Sequence, residues 1–252
     1  MNIIGLDIGG TKITGVLFDG KKQLRSLTIP TPKSLPSFKA SLLKLVETLS
    51  LNVKIEGLGV GMAGIVDRKN YTVLHSPNLR FIENFNFKEL FPKYKVRLDN
   101  DAKCFARAEA VLGQCKSLKN FFAVTLGTGV GGALFFMDEL YLGSHGSAGE
   151  VGHVMMDADH TIEYYYQKAR DSSDYKRLAK IVGVLLANIY NLIDVELVVM
   201  GGSVSVKNHE KFLEAAVLYA QKLLINKNIQ IKVFVSNLEN AGAVGAALLL
   251  KS

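Results

Sequence analysis

NIIGLDIGGTKITGVLFDG at 2–20 and NFFAVTLGTGVGGALFFMD at 120–138 decide the fold. At a shift of 118 residues Asn2 falls on Asn120, Gly9 on Gly127 and Phe18 on Phe136, and the apolar positions coincide almost throughout. A second pair keeps the same order: IEGLGVG at 55–61 over VELVVMG at 195–201, at a shift of 140. Identity is low, and hydrophobic coincidence alone would produce part of the match. Two pairs in one order are harder to produce that way and point to duplication. Each long copy reads as an apolar strand, a turn rich in Gly and Thr, and a return strand. The expected architecture is α/β, two similar mixed-sheet lobes with a ligand cleft between them.

Working outward, further strands are expected at 23–30, 54–66, 96–99 and 195–200. Helices are expected at 37–49 behind a Ser37 cap, and at 102–114, 175–193, 210–225 and 241–251. The first lobe then comprises 1–104 and takes back 241–252; the second comprises 105–240.

Of 252 residues, 48% are apolar and 21% charged, which excludes wholesale disorder. A chain of this length buries a core without a disulfide or metal staple. Cys104 and Cys115 lie in no CxxC and near no histidine cluster, so neither a structural zinc nor a disulfide framework is expected. Free thiols suit a reducing cytoplasm. The net charge of +7 comes with no run of five or six basic residues. It reads as a solvated basic surface, or as a cleft for phosphorylated small molecules, rather than a nucleic-acid interface. The start carries Asp7 and no basic n-region, so it is no signal peptide. Residues 120–137 form an uncharged run of transmembrane length, but four glycines and two threonines make it two buried strands about a turn, not a span.

The two turns, Gly9-Gly10-Thr11-Lys12 and Gly127-Thr128-Gly129-Val130-Gly131, hold the most chemistry. Glycine lets backbone N–H groups approach a phosphate, and the hydroxyls add donors. Neither turn is a Walker A or Rossmann fingerprint: no GxxxxGK[ST] occurs, and the second turn returns into a strand instead of opening a helix. Each alone is compatible with an ordinary hairpin; the duplicated frame favours a pair of phosphate cradles. Asp7 either caps its turn or reaches a Mg²⁺. Lys12 faces phosphate or solvent. In LDNDAK, Asp101 is either a helix N-cap or a strand-end base for an alcohol proton. Glu150 and His153, three apart, are surface-loop residues or polyol ligands.

DIGGTK at 7–12, LDNDAK at 98–103, TLGTGVGG at 125–132, GSAGEVGH at 146–153 and VMGGSV at 199–204 together resemble the ROK family of sugar kinases and repressors, and cover nearly the whole chain in order. This family belongs to the actin/hexokinase/Hsp70-like ATPase superfamily, with its two-lobed ribonuclease H-like fold. The resemblance implies a first phosphate loop over Asp7, Gly9, Gly10, Thr11 and Lys12, with Asp7 near the metal. It implies a second loop over Gly127, Thr128 and Gly129, and an adenosine contact at Gly201 and Gly202. It makes Asp101 the catalytic base and Asn100, Asn78, Glu150 and His153 sugar ligands, with Glu163 in TIEYYYQ the best match to a further sugar-binding glutamate.

The implied activity is ATP- and Mg²⁺-dependent phosphorylation of a hexose, glucokinase-like, in the cytoplasm. An N-acetylhexosamine kinase (ManNAc or GlcNAc) or a non-catalytic sugar-sensing regulator of the same fold stands as alternative. The implied partners are sugar and nucleotide, with no nucleic acid and no membrane; a homodimer is left open. Two departures matter. DADHTIEYYYQKARD at 157–171 lacks the cysteine cluster with which the family holds zinc, so no zinc is expected, and Lys103 stands where Asn is common. No helix-turn-helix of the repressor kind is expected ahead of the first strand.

Overall fold

In a computed structural model of the chain, residues 2–251 are described, and the chain divides into two compact units, Met1–Ala108 with Leu238–Ser252, and Glu109–Asn237. In the first unit the duplicated stretch forms β1 (Ile3–Ile8) and β2 (Lys12–Phe18), followed by β3 (Gln23–Pro30). Helix α1 (Leu35–Leu49) buries Phe38, Leu42, Leu45, Val46 and Leu49 on one face. Its cap position is Ser34, with extended backbone and Pro36 in the first turn, not the expected Ser37. The single strand expected at 54–66 is two. β4 (Gly57–Met62) ends before Gly64, whose φ of +125° turns the chain into the hairpin of β5 (Ile65–Asp67) and β6 (Thr72–His75). A short α2 (Phe87–Leu90), β7 (Lys95–Asn100) and α3 (Asp101–Val111) complete this run.

The second unit holds β8 (Phe121–Leu126), β9 (Val130–Phe136), β10 (Glu139–Tyr141), α4 (Ile162–Asp171), α5 (Tyr175–Ile193), β11 (Leu197–Gly201), α6 (Gly202–Asn208), α7 (Leu213–Leu223) and β12 (Val233–Val235). The helix expected from residue 210 begins at Leu213, after a tight turn at His209–Lys211. Helix α4 lies in the stretch 157–171, for which no helix was expected. The chain then returns to the first unit as α8 (Ala241–Leu248).

The sheets share one topology: β3-β2-β1-β4-β7 and β10-β9-β8-β11-β12, antiparallel at the first two pairings and parallel at the last two. The repeat extends to register. Ile3 faces Gly57 and Leu6 faces Val60; at shifts of 118 and 140, Phe121 faces Leu197 and Val124 faces Met200. The hairpins differ by one residue. Ile8 pairs with Ile13 across residues 9–12, whereas Leu126 pairs with Val130 across 127–129. The counterpart of Phe18 is therefore Phe135, not the Phe136 of a uniform shift, and Gly15 falls on Gly132. The central strands are buried on both faces, which is why they read as unbroken apolar runs. Edge strand β3 is largely exposed and carries Arg25. No helix among the described residues is long and apolar enough to cross a membrane.

Helix α8, AGAVGAAL, is apolar all round, and Ala241 and Ala243–Leu248 are buried. Its backbone touches the sheet. A Cβ at Gly5 would lie 1.9 Å from the Ala243 carbonyl oxygen, and one at Gly59 1.7 Å from that of Ala246. On the other side, a Cβ at Gly245 would lie 1.7 Å from the Cys104 carbonyl oxygen of α3. Since close-packed interiors do not yield such distances, Gly59→Ala is expected to lower unfolding stability by about 3 kcal/mol or more. Gly127→Ala, whose added carbon meets nothing closer than 4.0 Å, should stay within about 1 kcal/mol of wild type. Urea midpoints of the two variants check the contrast.

Candidate active site

In the first unit, Asp7, Gly61 and Asp99 stand in register across β1, β4 and β7. Asp7 is half-buried under the start of α8: a Cβ at Gly242 would come 2.5 Å from its Oδ2. Burial, then the Asp101 charge, raise its pKa from 3.8 to about 7, with Lys12 opposing them. Asp99, 2% exposed, accepts from Arg68 Nε at 2.7 Å and from the Asn100 N–H at 2.8 Å, with Arg107 at 3.9 Å.

The Asn100 side chain donates to the Gly64 carbonyl (3.1 Å) and accepts from the Lys103 N–H (3.2 Å). Asn100, not Asp101, is thus the residue that caps α3. Asp101 is a half-buried carboxylate on the first turn of α3; its Oδ1 accepts from the Ala102 N–H at 2.9 Å, and it lies in electrostatic reach of Asp7. Lys103, by contrast, is 1% exposed.

The turn after β1 has its carbonyls tied back. Thr31 Oγ1 donates to Gly9 O at 2.7 Å, the Thr31 N–H to Thr11 O at 3.0 Å, and the Gly9 N–H to Lys12 O at 3.1 Å. The amides of Gly10 and Thr11 make no hydrogen bond among the described residues, and Thr11 is exposed. Asn78 lies against this turn, since a Cβ at Gly10 would meet its Cβ at 2.8 Å. Buried Ser76 and Leu79 pin the turn that carries Asn78, through Ser76 Oγ to Ala63 O at 3.0 Å and the Leu79 N–H to Ser76 O at 3.2 Å. Lys12 is exposed.

The turn after β8 follows the same plan with other anchors. The Gly127 N–H donates to Gly129 O at 3.0 Å. Tyr166, fully buried, donates from its hydroxyl to Gly127 O at 2.8 Å; Arg170 Nη1 donates to Gly127 O at 3.1 Å and also to Thr128 O. Burial raises the pKa of Tyr166, which keeps it a donor. Here too two successive amides, Thr128 and Gly129, are without a hydrogen bond among the described residues. Glu163 is engaged on the loop itself: Oε2 accepts from the Val130 N–H at 2.6 Å and Oε1 from Gln167 at 3.1 Å.

Gly201 precedes α6, and Gly202 has a φ of +84°. A Cβ at Gly202 would lie 2.4 Å from Leu126 O, so glycine lets α6 start directly over the end of β8. In GSAGEVGH, Gly149 and Gly152 are required by β9: added carbons would meet the Ala133 Cα at 2.9 Å and Val130 O at 2.3 Å. The segment is pressed onto β9 between them, and half-buried Glu150 and exposed His153 flank a tight turn at Val151–His153.

Three anchors escaped the sequence reading: Thr31, Tyr166 and Arg170. The last two had a readable signal, since Glu163, Tyr166 and Arg170 fall at i, i+3 and i+7 of one helix. The stretch between His153 and α4 is closed without thiols. Asp157 accepts from the Asp159 and His160 N–H groups and from Tyr165 Oη, while His160 stacks on Tyr164 at 3.8 Å. Asp157, Asp159 and His160 come within metal-binding distance of one another. Asp157 already has both oxygens taken, and no cysteine is present at 153–171. These residues do not fit a thiolate zinc centre.

The family model described as "ROK family" matches residues 3–164 and 160–252. A glucokinase of Streptomyces coelicolor is 34% identical over 163 residues, 62% of this chain and 50% of that protein, so the chain spans about half the length of that relative. An N-acetyl-D-glucosamine kinase of Escherichia coli is 29% identical over 254 residues, 80% of this chain and 84% of the relative. Among solved structures, a ROK family glucokinase from Streptomyces griseus, in complex with glucose and AMPPNP, superposes with a TM-score of 0.88 at 25% identity over 99% of both chains.

The Asp7 environment predicts a pH dependence. Its folded pKa of about 7 lies above the ordinary 3.8. Between those values the folded chain keeps a proton that the unfolded chain has lost. Stability therefore falls as pH rises from about 4 to about 7 and levels off above. Asp7→Asn removes that slope. In melting curves without divalent cation, the variant's gain over wild type should grow across this window and then saturate; a gain independent of pH would contradict the placement.

Proposed function

The chain belongs to the ROK family, and from that premise we propose that it transfers the γ-phosphoryl group of ATP to a primary hydroxyl of a hexose. Its fold is that of the actin-like ATPases. One observation carries the reading. Each sheet ends its central antiparallel strand pair in a turn with most of its carbonyls held by hydrogen bonds and with two successive amides that make none among the described residues. Paired amides of this kind are donors for phosphate oxygens.

In this reading Gly9–Lys12 and Gly127–Gly129 cradle the donor phosphates, with Gly201 and Gly202 beside the adenosine. Asn78, Asn100, Glu150, His153 and Glu163 are the residues read as holding acceptor hydroxyls. Asp101 takes the hydroxyl proton as the oxygen attacks phosphorus, and ADP leaves. The Asp7 carboxylate is a hard oxygen donor whose charge the neighbouring Asp101 disfavours, a place that fits Mg²⁺. When bound there the ion neutralises phosphate charge. Zinc has no part in this reading, because the thiolates it would need are absent.

Glucose is the leading acceptor. A 2-acetamido hexose is the second reading, favoured by the greater share of the chain and of the relative that the N-acetyl-D-glucosamine kinase match covers. A sugar sensor without catalysis is disfavoured, since it would need neither Asp101 nor two intact loops. The basic surface is read as serving phosphorylated ligands, and a gel-shift at physiological salt should show no nucleic-acid complex.

A coupled ADP-release assay over glucose, mannose, N-acetylglucosamine and N-acetylmannosamine chooses the acceptor; no turnover with any hexose would end the proposal. Asp101→Asn keeps shape and removes basicity, so kcat should fall by about 10²–10⁴ with the KM for sugar nearly kept. Activity should depend on Mg²⁺, and elemental analysis after dialysis should find no stoichiometric zinc; about one zinc per chain would refute that part.

A further inference from the structure

We propose that Arg170 and Tyr166 are positioning residues for the donor: by holding the Gly127 and Thr128 carbonyls they aim the Thr128 and Gly129 amides at its phosphates. This rests on reading Gly127–Gly129 as the donor loop. In a trans peptide the C=O and the following N–H point to opposite sides of the chain. The Gly127 carbonyl shares its peptide plane with the Thr128 N–H, and the Thr128 carbonyl with the Gly129 N–H. Both carbonyls are drawn toward α4, the first by Tyr166 Oη at 2.8 Å and Arg170 Nη1 at 3.1 Å, the second by Arg170 Nη1. The two amides that lack hydrogen bonds are therefore those turned away from α4.

A loop of two glycines about one threonine has little to fix its peptide planes. A flipped plane would present a carbonyl oxygen to a phosphate and repel it. The guanidinium is itself fixed: Asp171 accepts from Nε at 2.8 Å and lies 2.7 Å from Nη2, which leaves Nη1 for the loop. That division of labour uses the fork of an arginine, and a lysine cannot reproduce it. Glu163 secures the far end of the loop through the Val130 N–H.

The test combines calorimetric titration of ATP with steady-state kinetics on Arg170→Ala, Arg170→Lys and Tyr166→Phe. Arg170→Ala should raise the Kd and KM for ATP by about tenfold to a hundredfold, as expected for lost charge-assisted hydrogen bonds, and Tyr166→Phe by about threefold to tenfold. The KM for sugar should stay within about twofold. Arg170→Lys should recover only part of the loss, and guanidinium ion added to Arg170→Ala should restore ATP binding. An unchanged Kd for ATP in Arg170→Ala would overturn the inference. So would a parallel fall of ATP affinity, sugar affinity and melting temperature, which is the mark of a merely structural role. Tyr166→Phe keeps the buried ring and guards against a misfolded alanine variant. A wild-type chain that binds no ATP would remove the donor-loop reading and this inference with it; one that binds ATP indifferently to Arg170 would remove this inference alone.

Discussion

The approach of α8 to the first sheet constrains everything near Asp7. Three glycines make it possible: Gly5 on β1, Gly59 on β4, and Gly245 on the helix itself, facing α3. At such distances a helix backbone takes the place that side chains usually fill between layers, so no rotamer change can relieve an added carbon. The contact fixes the start of α8 over the Asp7 carboxylate, through Gly242. The raised proton affinity of Asp7 follows from that burial and from Asp101. Packing and electrostatics are thus one arrangement seen at two scales, with a helix near the C-terminal end of the chain lying against a carboxylate near its start.

The two loops solve one backbone problem in different ways. A turn that offers amides to a ligand must dispose of its carbonyls elsewhere. In the first unit the neighbouring strand β3 and the residue after it suffice, because Thr31 brings a hydroxyl and an amide to the turn. In the second unit β10 is only three residues long and offers no counterpart of Thr31. Helix α4 supplies the anchors instead, from Tyr166 and Arg170. The same helix begins where the segment after His153 ends, through the Ile162 N–H on Val154 O and the bridge between Met155 and Thr161. One helix therefore fixes both the loop at 127–129 and the segment that carries Glu150 and His153.

The closure ahead of α4 shows how a short segment is stapled by ordinary contacts. An aspartate that caps two amides, a tyrosine hydroxyl on that aspartate and a stacked histidine hold residues 154–162 together. Such contacts suffice because the loop they close is short and its entropy of closure small.

Much was legible in the sequence for a physical reason: strands buried on both faces must be apolar throughout, and a duplicated sheet repeats that signal at a fixed shift. The paired strands about the Gly9 and Gly127 turns, with β4 and β11, follow from it; the long helix Tyr175–Ile193 showed in its own apolar run, whereas the short strands β6, β10 and β12 and the order of strands in the sheets did not show. Residue type and position also brought out Asp7, Asp101 and Glu150 as candidates. The one-residue difference between the hairpins did not show, because hydrophobic alternation tolerates either length of turn. Whether Asp101 capped α3 depended on the side-chain direction of Asn100. The glycines of α8 and of Gly149–Gly152 were visible as residues, but their purpose lies in backbones distant along the chain. Thr31, Tyr166 and Arg170 act on carbonyls that every residue possesses. A sequence records side chains and leaves unstated which backbone oxygen will need a partner, so only the tertiary structure decided which residues hold the loops.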